Sequence, residues 1–200
     1  MSLYQAYKLL FPSCTWQKPP RDGNFLYLTF DDGPIPELTP WVLDTLNSFQ
    51  AKATFFCVGE NVKKHSAIYK RIIDEGHQVG NHTYNHLNGW ETPNRVYQKN
   101  IDTAAKLIKS KLYRPPYGKI TPVQLKAVLA KNYEVVMWNN LSKDYDKNIS
   151  PEKCLERSCE VNNGSIIVFH DNLKAEKNLK YALPKFINWA QKKGFEFKTL

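Results

Sequence analysis

Short apolar segments with strand character alternate along this chain with longer amphipathic segments, and this alternation restricts its fold more than any other feature. Phe25–Phe30 reads FLYLTF and Ala53–Val58 reads ATFFCV, and both segments are rich in aromatic side chains. Between them, Pro36–Phe49 places apolar residues at helical spacing. A strand–helix–strand order favours parallel strands that are joined by right-handed crossovers.

The same alternation continues to the C-terminus. We predict further helices over residues 61–75, 93–111, 122–132, 151–161 and 175–193, and further strands over 77–80, 112–114, 133–138, 164–169 and 195–197. About seven strands and about as many helices suit an α/β fold of the small or incomplete (β/α) barrel kind better than an open three-layer sheet. The pattern alone leaves both arrangements open.

Length and composition exclude several classes of protein. A chain of 200 residues fits one domain, and none of its segments has the run of about 18 apolar residues that a membrane span needs. The N-terminal residues lack the basic start and the small-residue cleavage site of a leader peptide, so we expect a cytoplasmic protein. Its four cysteines are too few and too scattered for a disulfide framework.

The formal net charge of +9 raises the question of a nucleic-acid partner. Most of the lysines are spread from Lys99 to Lys198 among acidic residues, without an arginine-rich block. This distribution favours a solvated basic surface, so we expect no nucleic-acid partner. Attraction to an anionic polymer is the weaker alternative.

Polar side chains of catalytic types follow five of the predicted strands. In parallel α/β folds the C-terminal ends of the strands face one mouth, where active sites form. The five segments are Asp31–Pro34, Asn81–His86, Arg114–Gly118, Asn139–Tyr145 and His170–Asp171. We therefore expect these side chains to converge on a single site.

Two histidines and two adjacent aspartates suggest a metal site. A spacing of four residues puts His82 and His86 on one face of a helical turn. With a carboxylate from another strand end, they form a two-histidine, one-acid set that suits a divalent metal. Asp31 and Asp32 point in opposite directions on an extended segment, so one can bind the metal while the other faces the substrate. The charge of the metal would also offset their mutual repulsion.

Two further residues suit acid–base work. Arg114 is a permanent cation, and beside a carboxylate it would keep that group ionised and oriented. His170 titrates near neutrality and can give a proton to a leaving group. Either Asp144 or Asp171 can orient His170, and the sequence leaves that choice open.

Four motifs in order, TFDDGP, HTYNH, RPPYG and IVFHD, resemble those of the polysaccharide deacetylases of the NodB-homology type, carbohydrate esterase family 4. The resemblance runs from Phe25 to the C-terminus, so we assign residues 25–200 to a catalytic domain and leave 1–24 as an N-terminal extension without a counterpart. It implies a distorted (β/α) barrel with seven strands. It also implies metal-dependent removal of acetyl groups from N-acetylated sugars.

The resemblance also assigns roles around the metal. Asp31 corresponds to the general base, and Arg114 corresponds to the arginine that pairs with it. Asp32, His82 and His86 correspond to the metal ligands. The expected cofactor is one divalent ion, zinc first, with cobalt, nickel and manganese as alternatives because such a site discriminates poorly between metals.

The remaining roles that the resemblance implies concern the acyl group and the leaving group. The backbone N–H of Tyr117 would help to hold the oxyanion, and Val168 would line the pocket for the acetyl methyl group. His170 would be the general acid, with Asp144 tuning it. The fourth motif departs from the family pattern, because the acid is usually followed by tryptophan and here the pair is Asp144-Tyr145.

Other functions stay open at this point. One alternative is a carbohydrate-binding module with a structural metal, and another is an esterase that removes O-acetyl groups from a glycan. Trp90 follows the metal-binding motif and can either stack on a sugar ring or pack in the core. The sequence does not identify the glycan or the oligomeric state.

Overall fold

Parallel strands form a curled sheet, and helices cover its outer side. The computed structural model describes residues 3–19 and 22–200. The helices are α1 (Leu3–Leu10), α2 (Thr39–Ser48), α3 (Gly59–Lys64), α4 (Ser66–Asp74), α5 (Asn94–Ala105), α6 (Pro122–Leu129), α7 (Pro151–Ser158) and α8 (Glu176–Lys192), with a 3₁₀ turn at Pro116–Gly118. The strands are β1 (Phe25–Asp31), β2 (Thr54–Cys57), β3 (Gln78–Asn81), β4 (Leu112–Tyr113), β5 (Glu134–Val135), β6 (Asn140–Leu141), β7 (Ile166–His170) and β8 (Glu196–Phe197).

Seven of these strands lie side by side in the order β5-β4-β3-β2-β1-β7-β6, and β8 pairs with the start of β1. The pairings in the described sheet are parallel. The strands curl into a half-barrel, which confirms the predicted distorted (β/α) barrel. Because the strands run the same way, their C-terminal ends meet at one mouth.

The side chains of β1 point alternately to the two faces of the sheet. Leu26, Leu28 and Phe30 are fully buried in the core between the sheet and the helices. The intervening side chains, Tyr27 and Thr29, face the inside of the half-barrel, as the period of two in a strand requires. Each fully buried leucine or phenylalanine contributes about 1.5–3 kcal/mol. The next inward position on β1 is that of Asp31, at the mouth.

Element boundaries differ from the prediction where local contacts override the apolar pattern. The helix predicted over 61–75 is two helices, because His65 leaves the helical region (φ −125°, ψ 48°). β6 was not predicted, because Asn140 within it and Asn139 before it are polar. Asn140 pairs with Ile167 of β7, and its side-chain amide donates to the carbonyls of Arg157 and Glu160 at 2.8 and 3.0 Å.

The N-terminal residues contain a helix, α1, that the sequence did not predict. Beyond it, Thr15 forms a parallel bridge with Val136, and the Lys18 N–H donates to the carbonyl of Gly164 at 3.0 Å. The division of the chain at residue 25 stays a prediction. Within the described residues, no helix combines the length and apolar character that a membrane crossing requires.

Candidate active site

Asp32, His82 and His86 converge at the mouth of the half-barrel. One ligand atom from each lies within 4.8 Å of the other two. Asp32 Oδ1 lies 2.9 Å from Nε2 of His86 and 3.6 Å from Nε2 of His82. Two histidines four residues apart and an aspartate 50 residues before the first of them therefore present two imidazole nitrogens and one oxygen to a common point.

Left-handed backbone conformations, and not a helical turn, bring the two histidines together. Thr83 has a φ of 63° and His86 a φ of 55°, and residues 82–88 form no helix. The expectation of a shared helical face was therefore wrong, although the pairing of the two imidazoles was right. The turn is held locally, because the Thr83 N–H donates to Asn81 Oδ1 at 2.8 Å and the Leu87 N–H donates to Thr83 Oγ1 at 3.2 Å.

Neighbouring groups fix the orientation of all three side chains. His82 Nδ1 lies 2.7 Å from the Arg114 carbonyl, and His86 Nδ1 lies 3.2 Å from the Tyr117 hydroxyl. Since Nδ1 of each ring is engaged, Nε2 is the atom left for a metal. The Asn172 amide donates to Asp32 Oδ2, so Oδ1 is the oxygen that faces the histidines.

The donor set fits a divalent cation. Asp32 Oδ1 is buried and accepts no well-aligned hydrogen bond from the described residues, because the short contact to His86 lacks hydrogen-bond geometry. Burial disfavours the charged form of Asp32, but its contacts with His82 and His86 and the charge of His170 outweigh that effect. They hold the pKa of Asp32 well below its usual value. An ionised carboxylate with a free buried oxygen beside two imidazoles is what a bound cation would satisfy.

Asp31 is turned away from this cluster toward Arg114. Its Oδ1 accepts from Arg114 Nη1 at 2.7 Å, and the same nitrogen donates to Thr29 Oγ1 at 2.8 Å. The rest of the guanidinium donates to the carbonyls of Val136 and Met137, both at 3.1 Å. Burial lowers the pKa of Arg114, although the attraction of Asp31 opposes that shift. The predicted pairing of these two residues is thus present in the structure.

His170 lies at the end of β7, directly beside Asp31 in the register of the neighbouring strand. Its Nδ1 and its backbone N–H each lie 2.7 Å from a carboxylate oxygen of Asp144. Burial opposes protonation, but the charge and hydrogen bond of Asp144 outweigh it and raise the pKa of His170 to about 9. The ring of Tyr145 packs edge-on against His170, with centroids 4.8 Å apart. Of the two acids that the sequence left open, Asp144 is therefore the partner.

Asp171 has a different task, which the sequence did not reveal. Its Oδ1 accepts from the Gly33 N–H at 3.0 Å, and its Oδ2 accepts from the Thr39 hydroxyl at 2.5 Å. A Cβ at Gly33 would lie 1.9 Å from Asp171 Oδ2, so only glycine fits there. Burial raises the pKa of Asp171 to about 8. The buried carboxyl group thus fixes the turn that follows Asp32.

The loop after β4 places Tyr117 beside the cluster. Tyr117 has a φ of 59° and Gly118 a φ of 67°, and the Gly118 N–H donates to the Pro115 carbonyl at 3.0 Å. The exposed ring of Tyr117 packs edge-on against His86, with centroids 4.6 Å apart. The hydroxyl contact to His86 was not predicted, because the motif pointed only to the backbone N–H of Tyr117.

The two remaining predicted pocket residues lie in different surroundings. Val168 is buried, and it shares a face of β7 with His170 two residues later. Trp90 is 56% exposed, which argues against a core role, and its indole N–H donates to the carbonyl of Ile120 at 3.3 Å. Asn172 was also missed by the sequence analysis. Its position just after the histidine at a strand end was the available signal.

A parallel half-barrel with two histidines and a carboxylate at its mouth, flanked by a buried acid and a third histidine, is an arrangement that suits a hydrolase. Comparisons with known proteins agree. The polysaccharide deacetylase family matches residues 18–136. The chain therefore belongs to this family, the NodB-homology group or carbohydrate esterase family 4. It is a hydrolase of carbon–nitrogen bonds other than peptide bonds.

Individual relatives give the same answer. A peptidoglycan-N-acetylglucosamine deacetylase of Bacillus cereus is 31% identical over 193 residues, which cover 93% of this chain and 90% of the relative. A chitooligosaccharide deacetylase of Azorhizobium caulinodans is 31% identical over 158 residues, covering 76% and 75%. The crystal structure of a peptidoglycan N-acetylglucosamine deacetylase superimposes with a TM-score of 0.88 at 33% identity, covering 97% of this chain and 94% of the other.

Proposed function

We propose that this enzyme removes the acetyl group from N-acetylglucosamine residues of a cell-wall glycan, with peptidoglycan as the first candidate. The observation that carries the proposal is the division of labour between two adjacent aspartates. Asp32 faces the two histidines, whereas Asp31 lies beside them and is held by Arg114. The names of the similar proteins supply the sugar and the polymer.

Asp32, His82 and His86 would hold one divalent ion, for which we propose zinc, with cobalt, nickel and manganese as alternatives. When bound, such an ion supplies Lewis acidity for an acyl carbonyl and lowers the pKa of water. The chain contributes the orientation of the three ligands. Each ligand is oriented by a further contact: His82 by the Arg114 carbonyl, His86 by the Tyr117 hydroxyl and Asp32 by the Asn172 amide.

Asp31 is the proposed general base. The guanidinium of Arg114 donates to one oxygen of the Asp31 carboxylate and holds it in place. The other oxygen can then take the proton of the attacking water. This role needs a carboxylate that is not occupied by the metal, and Asp31 meets that condition.

The backbone N–H of Tyr117 is proposed to stabilise the negative charge that develops on the acetyl oxygen. His170 is the proposed general acid, which gives its proton to the departing sugar amine. A pKa of about 9 keeps that proton in place at neutral pH. Asp144 fixes the ring through Nδ1, so Nε2 is the atom that donates.

Substrate contacts are proposed for two further residues. Val168 faces the same side as His170 and would contact the acetyl methyl group. The exposed ring of Trp90 would stack on a sugar. A peptidoglycan substrate would place the enzyme at the cell envelope, whereas the N-terminal sequence led us to expect the cytoplasm, and that expectation stays untested.

Acetate release tests the proposal directly. The metal is stripped with a chelator and restored with zinc, cobalt, nickel or manganese. Acetate is then measured from peptidoglycan, chitooligosaccharides and O-acetylated xylan, with Asp31→Asn as the blank. We expect metal-dependent acetate release from the N-acetylated polymers. Binding of glycan without acetate release would support the carbohydrate-binding alternative, and release from xylan alone would support the esterase alternative.

A further inference from the structure

The N-terminal segment contacts two separate parts of the chain next to the candidate active site, the loop after β4 and the end of β5. We call residues 7–15 the N-terminal belt. One end of this belt reaches the loop that carries Tyr117, and the other end reaches the backbone that supports Arg114. Neither contact follows from the roles that the motifs assign.

The first contact is made by Tyr7. Its hydroxyl donates to the carbonyl of Gly118 at 3.2 Å. Its ring packs against Phe11 and Trp90, with centroids 4.8 and 6.1 Å apart. Tyr7 thus contacts both the loop that carries Tyr117 and the exposed side chain of Trp90.

The loop needs such support because its backbone is strained. Tyr117 is not glycine, yet it occupies the left-handed region that side chains disfavour. Strained residues of this kind persist only where the surroundings hold them. The Gly118 N–H is bonded inside the turn, and the Gly118 carbonyl is held from outside by Tyr7. Loss of the Tyr7 hydroxyl therefore frees one side of the turn.

The second contact lies at Thr15. Its N–H donates to the Val135 carbonyl at 2.8 Å, and its carbonyl accepts from the Met137 N–H at 2.7 Å. The carbonyl of Met137 in turn accepts from Arg114 Nη2 at 3.1 Å. Through the backbone of Met137, the belt therefore also supports the position of Arg114, which is bonded to Asp31.

We propose that the N-terminal belt is part of the active site and that Tyr7 is a positioning residue for the Tyr117 loop. This inference rests on the proposed function, because Tyr7 would position the backbone N–H of Tyr117, which is the proposed hydrogen-bond donor to the acetyl oxygen. The belt does not touch the reacting atoms. It acts by keeping the Tyr117 N–H and the Tyr117 hydroxyl in register with the metal-binding cluster.

The test compares Tyr7→Phe with Gln17→Ala. Tyr7→Phe removes one oxygen and keeps the aromatic packing. Gln17 lies just outside the belt and bonds to Asn162 and Asn163, away from both loops, so its variant controls for a loosened N-terminus. For Tyr7→Phe we expect kcat to fall about three- to tenfold while KM stays within about twofold. We also expect amide hydrogen exchange over residues 115–120 to become faster, with an unchanged melting temperature.

Gln17→Ala should keep the wild-type kcat and the wild-type exchange over 115–120. The proposal is overturned if Tyr7→Phe has wild-type kcat and wild-type exchange. It is also overturned if its loss of kcat is matched by Gln17→Ala. If the wild-type enzyme releases no acetate, the proposed function fails, and hydrogen exchange still decides whether Tyr7 holds the loop.

Discussion

Asp31 Oδ1 lies 2.7 Å from Nη1 of Arg114, and this ion pair is almost completely buried at the mouth of the half-barrel. A buried ion pair is weak evidence for stability, because desolvation offsets much of the attraction. Here one partner, Asp31, also lies next to Asp32 of the candidate metal site. The position of the pair beside Asp32 is therefore consistent with the proposed role of Asp31 as the base, in which Arg114 orients its carboxylate.

Asp31→Asn is expected to abolish acetate release and to leave the metal in place. The amide keeps the size of the side chain but cannot accept a proton from water, so kcat should fall at least about 100-fold. The check is acetate release together with the zinc content of the dialysed protein. Normal turnover by this variant would contradict the role of Asp31 as base.

Arg114→Gln is expected to destabilise the fold as well as to reduce activity. It leaves the Asp31 carboxylate buried without its cation, which typically costs about 3–5 kcal/mol. Denaturant unfolding of the metal-free protein measures the change, because metal binding then does not enter. A free energy of unfolding within about 1 kcal/mol of the wild type would show that water replaces the guanidinium at low cost.

Asn172→Ala tests the support of the metal site without removing a ligand. The Asn172 amide holds Asp32 Oδ2, so its loss lets the carboxylate rotate. Residues of this kind typically contribute about 10- to 100-fold to metal affinity. A competition titration with a chromophoric chelator should show that loss for Asn172→Ala.

His82→Ala, which removes a ligand, should bind zinc far more weakly still. The zinc affinity of Asn172→Ala should therefore lie between that of His82→Ala and that of the wild type. Zinc affinity of Asn172→Ala equal to that of the wild type would exclude the proposed support of Asp32.

Asp171→Ala addresses the turn after Asp32. Its carboxyl group holds the Gly33 N–H and the Thr39 hydroxyl, so truncation leaves two buried donors without an acceptor. We expect a loss of about 2–4 kcal/mol in the free energy of unfolding and weaker zinc binding. Asp171→Asn keeps one acceptor oxygen and should recover part of both. A larger loss in Asp171→Asn than in Asp171→Ala would contradict this account.

Much of the fold and part of the site could be predicted from the sequence, for physical reasons. Strand and helix periods report which face of an element is buried, so the strand ends, and with them Asp31 and His170, were placed correctly. The pairing of His170 with Asp144 and not with Asp171 depends on a contact across 26 residues of sequence. No local pattern reports such a contact, and only the family resemblance assigned Asp144 to His170 in advance.

Conformations that local propensity disfavours were missed. The left-handed conformations of Thr83 and His86 are set by the path of the chain between strands, so the spacing of His82 and His86 was misread as helical. Likewise, the Tyr7 contact links residues that are 111 positions apart. Such contacts depend on tertiary packing, and a single sequence does not encode them in a period or a spacing.

The pH dependence of the reaction should report His170 and Asp144. The pKa of His170 is raised to about 9 by Asp144 against the effect of burial, so the proton for the leaving amine is present at neutral pH. Acetate release should therefore fall as the pH rises through about 9. Asp144→Asn removes the main cause of the upward shift and leaves burial, which lowers the pKa. The alkaline limb should then move to lower pH.

The raised pKa of His170 should also make the free energy of unfolding depend on pH. A histidine whose pKa is higher in the folded than in the unfolded state stabilises the fold fully below the unfolded value of about 6.5 and loses that contribution as the pH rises toward 9. Asp144→Asn should therefore weaken the fold more at pH 6 than at pH 10. The measurements are kcat/KM for acetate release across this range and unfolding at the two pH values. An alkaline limb that Asp144→Asn leaves in place would show that another group supplies the proton.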